Sequence, residues 1–208
     1  MQTKWKRERN FDFGIRLRML KAYMKKLTNN LRMPAMPLDV PLEYQDDDFS
    51  CTPVCMKMVL EYIRERFVSG FPKLDIAEIS EILKTSADLG GTTFDNIKNI
   101  NEEFRKTRPS LEFVPGINHK IDDIKKEIEI GRPVIAWIMM PDPNGDYPHS
   151  IVITGIDEDK LLIYYNDPVY GKETVSIREF TDMWDGNFRV LIRIRIGEKV
   201  TLNGFGQS

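Results

Sequence analysis

Phe49-Ser50-Cys51-Thr52-Pro53-Val54-Cys55-Met56-Lys57-Met58-Val59-Leu60-Glu61-Tyr62-Ile63 is the stretch from which the rest of the chain is read. Cys55, Met58, Val59, Tyr62 and Ile63 recur at i, i+3, i+4, i+7 and i+8, the spacing of one buried helix face. Pro53 suits an early helical position, because its missing N–H would have no intrahelical partner there. Cys51 therefore falls at or just before the helix N-terminus. Free N–H groups and the helix dipole at that end favour an anion, which lowers the pKa of a thiol held there. Cys55, one turn on, faces the core with Met58 and Val59 and reads as a small apolar residue.

The chain offers few partners for that thiol: it has 2 Cys and 2 His among 208 residues. His149 follows a Pro/Gly/Asp-rich loop, Pro141 to Pro148, and opens the β-branched run Ser150-Ile151-Val152-Ile153-Thr154. Asp167 ends the next run, Leu161-Leu162-Ile163-Tyr164-Tyr165-Asn166-Asp167, after the turn Asp157-Glu158-Asp159-Lys160. In an antiparallel hairpin the first residue of one strand lies near the last of its partner, so His149 and Asp167 are expected as neighbours. A carboxylate accepting from one imidazole N–H leaves the other ring nitrogen for the thiol. Plainer readings compete. A lone Cys or His is more often a packed core residue, and Asp before Pro168 is a common turn former. A Cys51, Cys55, His and Asp zinc site is the weaker alternative, since structural zinc favours Cys-x-x-Cys knuckles and closed four-ligand sets. A Cys51–Cys55 disulfide is disfavoured by the geometry of one helical turn. His119 has no evident partner and reads as a surface loop residue.

The ordered set resembles a known family. Leu38-Asp39-Val40-Pro41, Gln45, Cys51-Thr52-Pro53-Val54-Cys55, Gly90-Gly91-Thr92-Thr93, Gly131-Arg132-Pro133-Val134-Ile135, His149 to Gly155, Asn166-Asp167-Pro168, Phe180 and Trp184 look like the bacteriocin-processing (double-glycine leader) peptidases and their stand-alone relatives, which are papain-like cysteine peptidases. The resemblance spans about residues 38 to 195. It implies Cys51 as nucleophile, His149 as base, Asp167 as orienter and Gln45 as oxyanion donor, with a peptide or protein as substrate, cleaved after small residues such as paired glycines. The family usually has Gly directly after the nucleophile. Thr52 departs from that, and its β-branched side chain is expected either to narrow the site or to mark lost activity.

The fold expected is α+β, papain-like, with an N-terminal helical half packed on a C-terminal antiparallel sheet. Helices are expected over about 75–83, with Asp75 as cap, over about 94–106 with Thr93 as cap, over about 121–130 ending at Gly131, and over 177–184. Strands are expected at 134–139, 149–156, 161–165, 173–176 and 188–196. Residues 1–33 form a basic amphipathic extension, with Phe13, Leu17, Leu20, Met24 and Leu27 at helical spacing. It suits contact with a membrane surface or a protein partner. Residues 34–198 form the peptidase-like domain and 199–208 a tail. A formal net charge of −2 does not advertise nucleic-acid binding. No cofactor or metal is called for. The absence of an apolar signal core points to the cytoplasm. A catalytically inactive peptide-binding module and a transglutaminase-like acyl transferase remain as alternatives.

Overall fold

A computed structural model of the chain describes residues 37–67, 71–105, 107, 110–143 and 145–197. The expected basic helix in 1–33 and the tail 199–208 lie outside the described residues.

Helix α1 (Cys51–Arg66) is followed by α2 (Ile76–Ile82), a 3₁₀-helix (Phe94–Ile100) continuous with the single turn α3 (Asn101–Phe104), strand β1 (Leu111–Gly116) and α4 (Ile121–Glu129). Then come β2 (Val134–Met140), β3 (Tyr147–Asp157), β4 (Leu162–Asp167), β5 (Gly171–Ser176), α5 (Ile177–Asp185) and β6 (Leu191–Ile196). The strands form one six-stranded antiparallel sheet in the order β1-β6-β2-β3-β4-β5. The class is therefore α+β, as the sequence indicates.

Both faces of the sheet are covered. Ile135, Val152, Ile192 and Ile194 point into a core shared with α1, α2 and the 3₁₀-helix. Their strand neighbours Val134, Ala136, Ile151, Ile153 and Leu191 join a second core with Ile124 and Ile128 of α4 and Phe180 and Trp184 of α5. Burial on both sides explains why Val134-Ile135-Ala136-Trp137-Ile138 is continuously apolar rather than alternating. Helix α1 is central and buries more than the expected stripe, since Thr52, Pro53, Val54 and Met56 are covered too. Asp75 and Glu78 form a reciprocal capping box on α2, and Ser176 and Glu179 form one on α5. Helix α4 stops before Gly131, whose φ of +77° closes the helix in the left-handed region.

Several elements differ from the expectation. The segment after Thr93 is 3₁₀ before it is α, and Thr93 makes no side-chain cap. Its apolar residues explain the choice: Phe94, Ile97 and Ile100 recur every three residues, the period of a 3₁₀-helix. The Asn101 side chain, bonded to both the N–H and the C=O of Phe113, then ties this segment to β1. Strand β1 was not anticipated. It lies at the sheet edge, where Pro115 needs no partner for a missing N–H. The last strand starts at Leu191 rather than at residue 188. Phe188 and Arg189 adopt positive φ in the turn after α5, and Phe188 is exposed. His119 is no free loop residue: its Nδ1 lies 3.2 Å from Asp123 in the first turn of α4, and its ring covers Gly116.

Candidate active site

Cys51 is the first residue of α1. The preceding loop is organised by Asp47, whose carboxylate accepts from the N–H groups of Phe49 at 2.9 Å and Ser50 at 2.7 Å. The first intrahelical bond runs from Val54 N–H to the Ser50 carbonyl. The N–H groups of Cys51 and Thr52 thus belong to the opening turn, which has no intrahelical acceptors.

His149 and Asp167 meet across the β3–β4 hairpin. His149 Nε2 lies 3.0 Å from Asp167 Oδ1, with the two side chains 3% and 0% exposed. This leaves Nδ1 as the imidazole nitrogen not committed to Asp167. The same Oδ1 accepts from the N–H groups of Val169 at 2.7 Å and Tyr170 at 3.1 Å. Asp167 is therefore both the turn former and the partner of His149, so the two readings of this residue coexist. Its other oxygen, Oδ2, is buried with no hydrogen-bond partner among the described residues.

Their meeting depends on an irregularity that the run of residues does not announce. From the turn, Ile156 pairs with Ile163 and Gly155 with Tyr164, a register that would set Asp167 opposite Val152. After a shift between Ile153 and Gly155, Ile153 pairs with Tyr165 and Val152 with Asn166, so Asp167 falls opposite Ile151. Side chains alternate faces along a strand, so Ile151 and His149 share a face that Val152 does not. The extra residue, Thr154, turns Asp167 to the side of His149. His149 is the third residue of β3 rather than its first, because the strand begins at Tyr147.

Charge is redistributed at this junction. Burial pushes the Cys51 thiol up, but hydrogen bonding to His149, the His149 charge, and hydrogen bonds from the Ser150 side chain and backbone more than offset it. The net effect is a thiol held below its ordinary value. Burial disfavours the imidazolium of His149, yet Asp167 and Cys51 outweigh it and raise His149 to about 9. Cys55 is fully buried, and burial with the nearby Cys51 and Asp167 charges drives its thiol far up. Both cysteines are free.

Gln45 is tied to the same hairpin, its N–H donating to the Pro168 carbonyl at 2.9 Å. Its side-chain Nε2 donates to the Asp47 carbonyl at 2.6 Å, within its own loop. Thr52 does not narrow an open cleft, contrary to expectation. Its side chain is buried, with Oγ1 2.6 Å from Ser150 Oγ. Sequence reasoning passed over Ser150 and also Tyr147, whose ring meets the His149 ring edge-on at 6.2 Å. Burial and the hydrogen-bonded neighbour Tyr170 raise the Tyr147 phenol to about 12. Period-two alternation on β3 puts Tyr147 on the His149 face, and that was the available signal.

Among the described residues no helix is long and apolar enough to cross a membrane. The chain is 26% identical over 142 residues to the mesentericin-Y105 transport/processing ATP-binding protein MesD of Leuconostoc mesenteroides, a match covering 68% of this chain and 17% of that protein. A C39-like chain from Bacillus anthracis superposes with a TM-score of 0.55 at 16% identity, over 77% of this chain and 96% of that one. A double glycine motif protease from an AMS/PCAT transporter, solved in complex with its leader peptide, superposes with a TM-score of 0.52 at 17% identity, over 77% and 94%. These structural likenesses carry the fold. The family model for the Peptidase_C39 like family matches residues 37–190, and the chain belongs to that family.

Proposed function

We propose that the chain is a cysteine peptidase that cleaves peptide bonds through an acyl-enzyme on Cys51. The observation that carries the reading is the buried His149–Asp167 pair beside a thiol held below its ordinary pKa. In this reading His149, oriented by Asp167, keeps the Cys51 proton, and the thiolate attacks the substrate carbonyl carbon. The developing oxyanion is held by the Cys51 N–H at the helix start and by the second amide hydrogen of Gln45, the first being bonded to Asp47. The C–N bond then breaks as His149 gives its proton to the leaving amine. Water, deprotonated by His149, releases the acid.

Family membership and the leader peptide bound to the structural neighbour support a peptide substrate with small residues, such as paired glycines, before the cleaved bond. The match spans 17% of the length of the curated relative, and transport-coupled processing with a protein partner is part of this proposal. Contact of residues 1–33 with a membrane surface or such a partner belongs to the same proposal, as does a cytoplasmic site of action.

The test is incubation of the full chain with a vinyl sulfone and, separately, with peptides carrying an internal Gly-Gly, both read by mass spectrometry. Modification of Cys51 in preference to Cys55, with cleavage after Gly-Gly, is expected. Inert Cys51 in an otherwise folded chain would leave a peptide-binding module. Transfer of the acyl group to added amines without hydrolysis would favour the acyl transferase.

A further inference from the structure

The residue that follows Cys51 and the residue that follows His149 touch each other. Thr52 Oγ1 and Ser150 Oγ are 2.6 Å apart, and each residue is 2% exposed. One turn along, Cys55 Sγ donates to the Ser150 carbonyl at 3.2 Å. Helix α1 therefore hydrogen-bonds to both parts of one β3 residue, to its side chain through Thr52 and to its backbone through Cys55.

Packing alone does not call for two hydroxyls here, since apolar groups of the same shape bury without the need to satisfy each other. A hydroxyl pair offers something more. It carries two hydrogens, one used in the bridge and one left to donate. Ser150 adjoins His149 in the chain and Thr52 adjoins Cys51, so the spare hydrogen of the hydroxyl pair lies beside the Cys51–His149 junction.

We propose that Thr52 and Ser150 are a positioning pair for the Cys51–His149 couple. The bridge fixes the first turn of α1 against the start of β3, and Thr52 orients the Ser150 hydroxyl to donate to the Cys51 sulfur. The inference rests on the peptidase reading above and adds two residues to it. Ser150, through side chain and backbone, is among the groups that pull the Cys51 thiol down, which accords with a donor at this place. It also gives Thr52 a task that a glycine at the same position lacks.

The titratable groups around Cys51 are His149 on β3, Asp167 on β4 behind it and Cys55 on α1. None of them is altered in the decisive variants. The experiment measures the rate of Cys51 alkylation by iodoacetamide against pH in the full chain, with the site read by mass spectrometry. Ser150→Ala is expected to raise the midpoint by about one pH unit, the scale of one hydrogen bond to a charged group. Thr52→Val should shift it the same way by less, Thr52→Ser should recover what Thr52→Val loses, and the double variant should go no further than Ser150→Ala. Midpoints of Ser150→Ala and Thr52→Val equal to wild type would overturn the pair, and so would a Thr52→Ser variant as impaired as Thr52→Val. If Ser150→Ala fails to fold, the Thr52 variants decide alone. His149→Ala separates the two ideas. A midpoint moved by His149→Ala but by neither hydroxyl variant rejects the pair and leaves the peptidase reading standing. A wild-type midpoint at the ordinary thiol value, unmoved by His149→Ala, rejects both.

Discussion

Cys51 and Cys55 stand one turn apart on the same helix, and burial pushes both thiols up. At Cys55 nothing offsets that push, and the charges of Cys51 and Asp167 add to it. At Cys51, His149 and Ser150 reverse it. The difference teaches that residue type and burial alone do not set which way a thiol's pKa moves. What matters is which groups of β3 meet it: His149 and the donors of Ser150 at Cys51, but at Cys55 the Ser150 carbonyl, an acceptor.

The strongest way to break this comparison is to exchange the fates of the two cysteines. Cys51→Ala is expected to abolish peptide cleavage and vinyl sulfone labelling, while Cys55→Ala keeps both. If cleavage survives in Cys51→Ala, as measured by product formation on a Gly-Gly peptide, the nucleophile is misassigned. A next-largest effect is expected from Asp167→Asn. It takes away the charge that raises His149 to about 9. The proposed thiolate–imidazolium pair would be populated above the lowered Cys51 value and below that of His149, so the rate should trace a bell in pH. In Asp167→Asn the alkaline limb should move to lower pH, with kcat down by roughly 10²–10⁴. An unmoved alkaline limb would mean that another group sets it.

The smallest effect sharpens the comparison from the other side. Cys55→Ala removes a fully buried sulfur and the donor to the Ser150 carbonyl. It should cost about 1 kcal/mol of stability, read as a lower denaturant midpoint with unchanged slope. A loss within error would show that α1 and β3 hold together without this contact.

Much of this was legible in the residues. The α1 spacing, the Asp75–Glu78 box and the Gly131 stop are local signals, and local signals survive in a single sequence. The meeting of His149 with Asp167 was anticipated, but for an incomplete reason, because counting outward from the turn ignores the extra residue Thr154. Gly155, a glycine inside a β-branched run, is the available sign of an irregularity there, but it does not tell which residue is surplus. Strand β1 escaped because Leu111-Glu112-Phe113 is short and Pro115 discourages a strand reading until its place at the edge is known. The Thr52–Ser150 contact joins residues 98 apart in sequence, and no spacing rule reaches that far.

The bulge at Thr154 has a further consequence. The Thr154 carbonyl accepts the Leu38 N–H at 2.8 Å, and Pro37 crosses so close to Gly155 that an added Cβ would sit 3.1 Å from its Cα. The segment so docked leads directly to Gln45. One surplus link of backbone is thus accommodated so that Asp167 aims at His149, and it also sets where the segment carrying Gln45 begins its approach. Were Thr154 deleted, Ile153 would still face Tyr165 and Asp167 would still fall opposite Ile151, so the pair would survive, but the carbonyl that docks Leu38 would be gone.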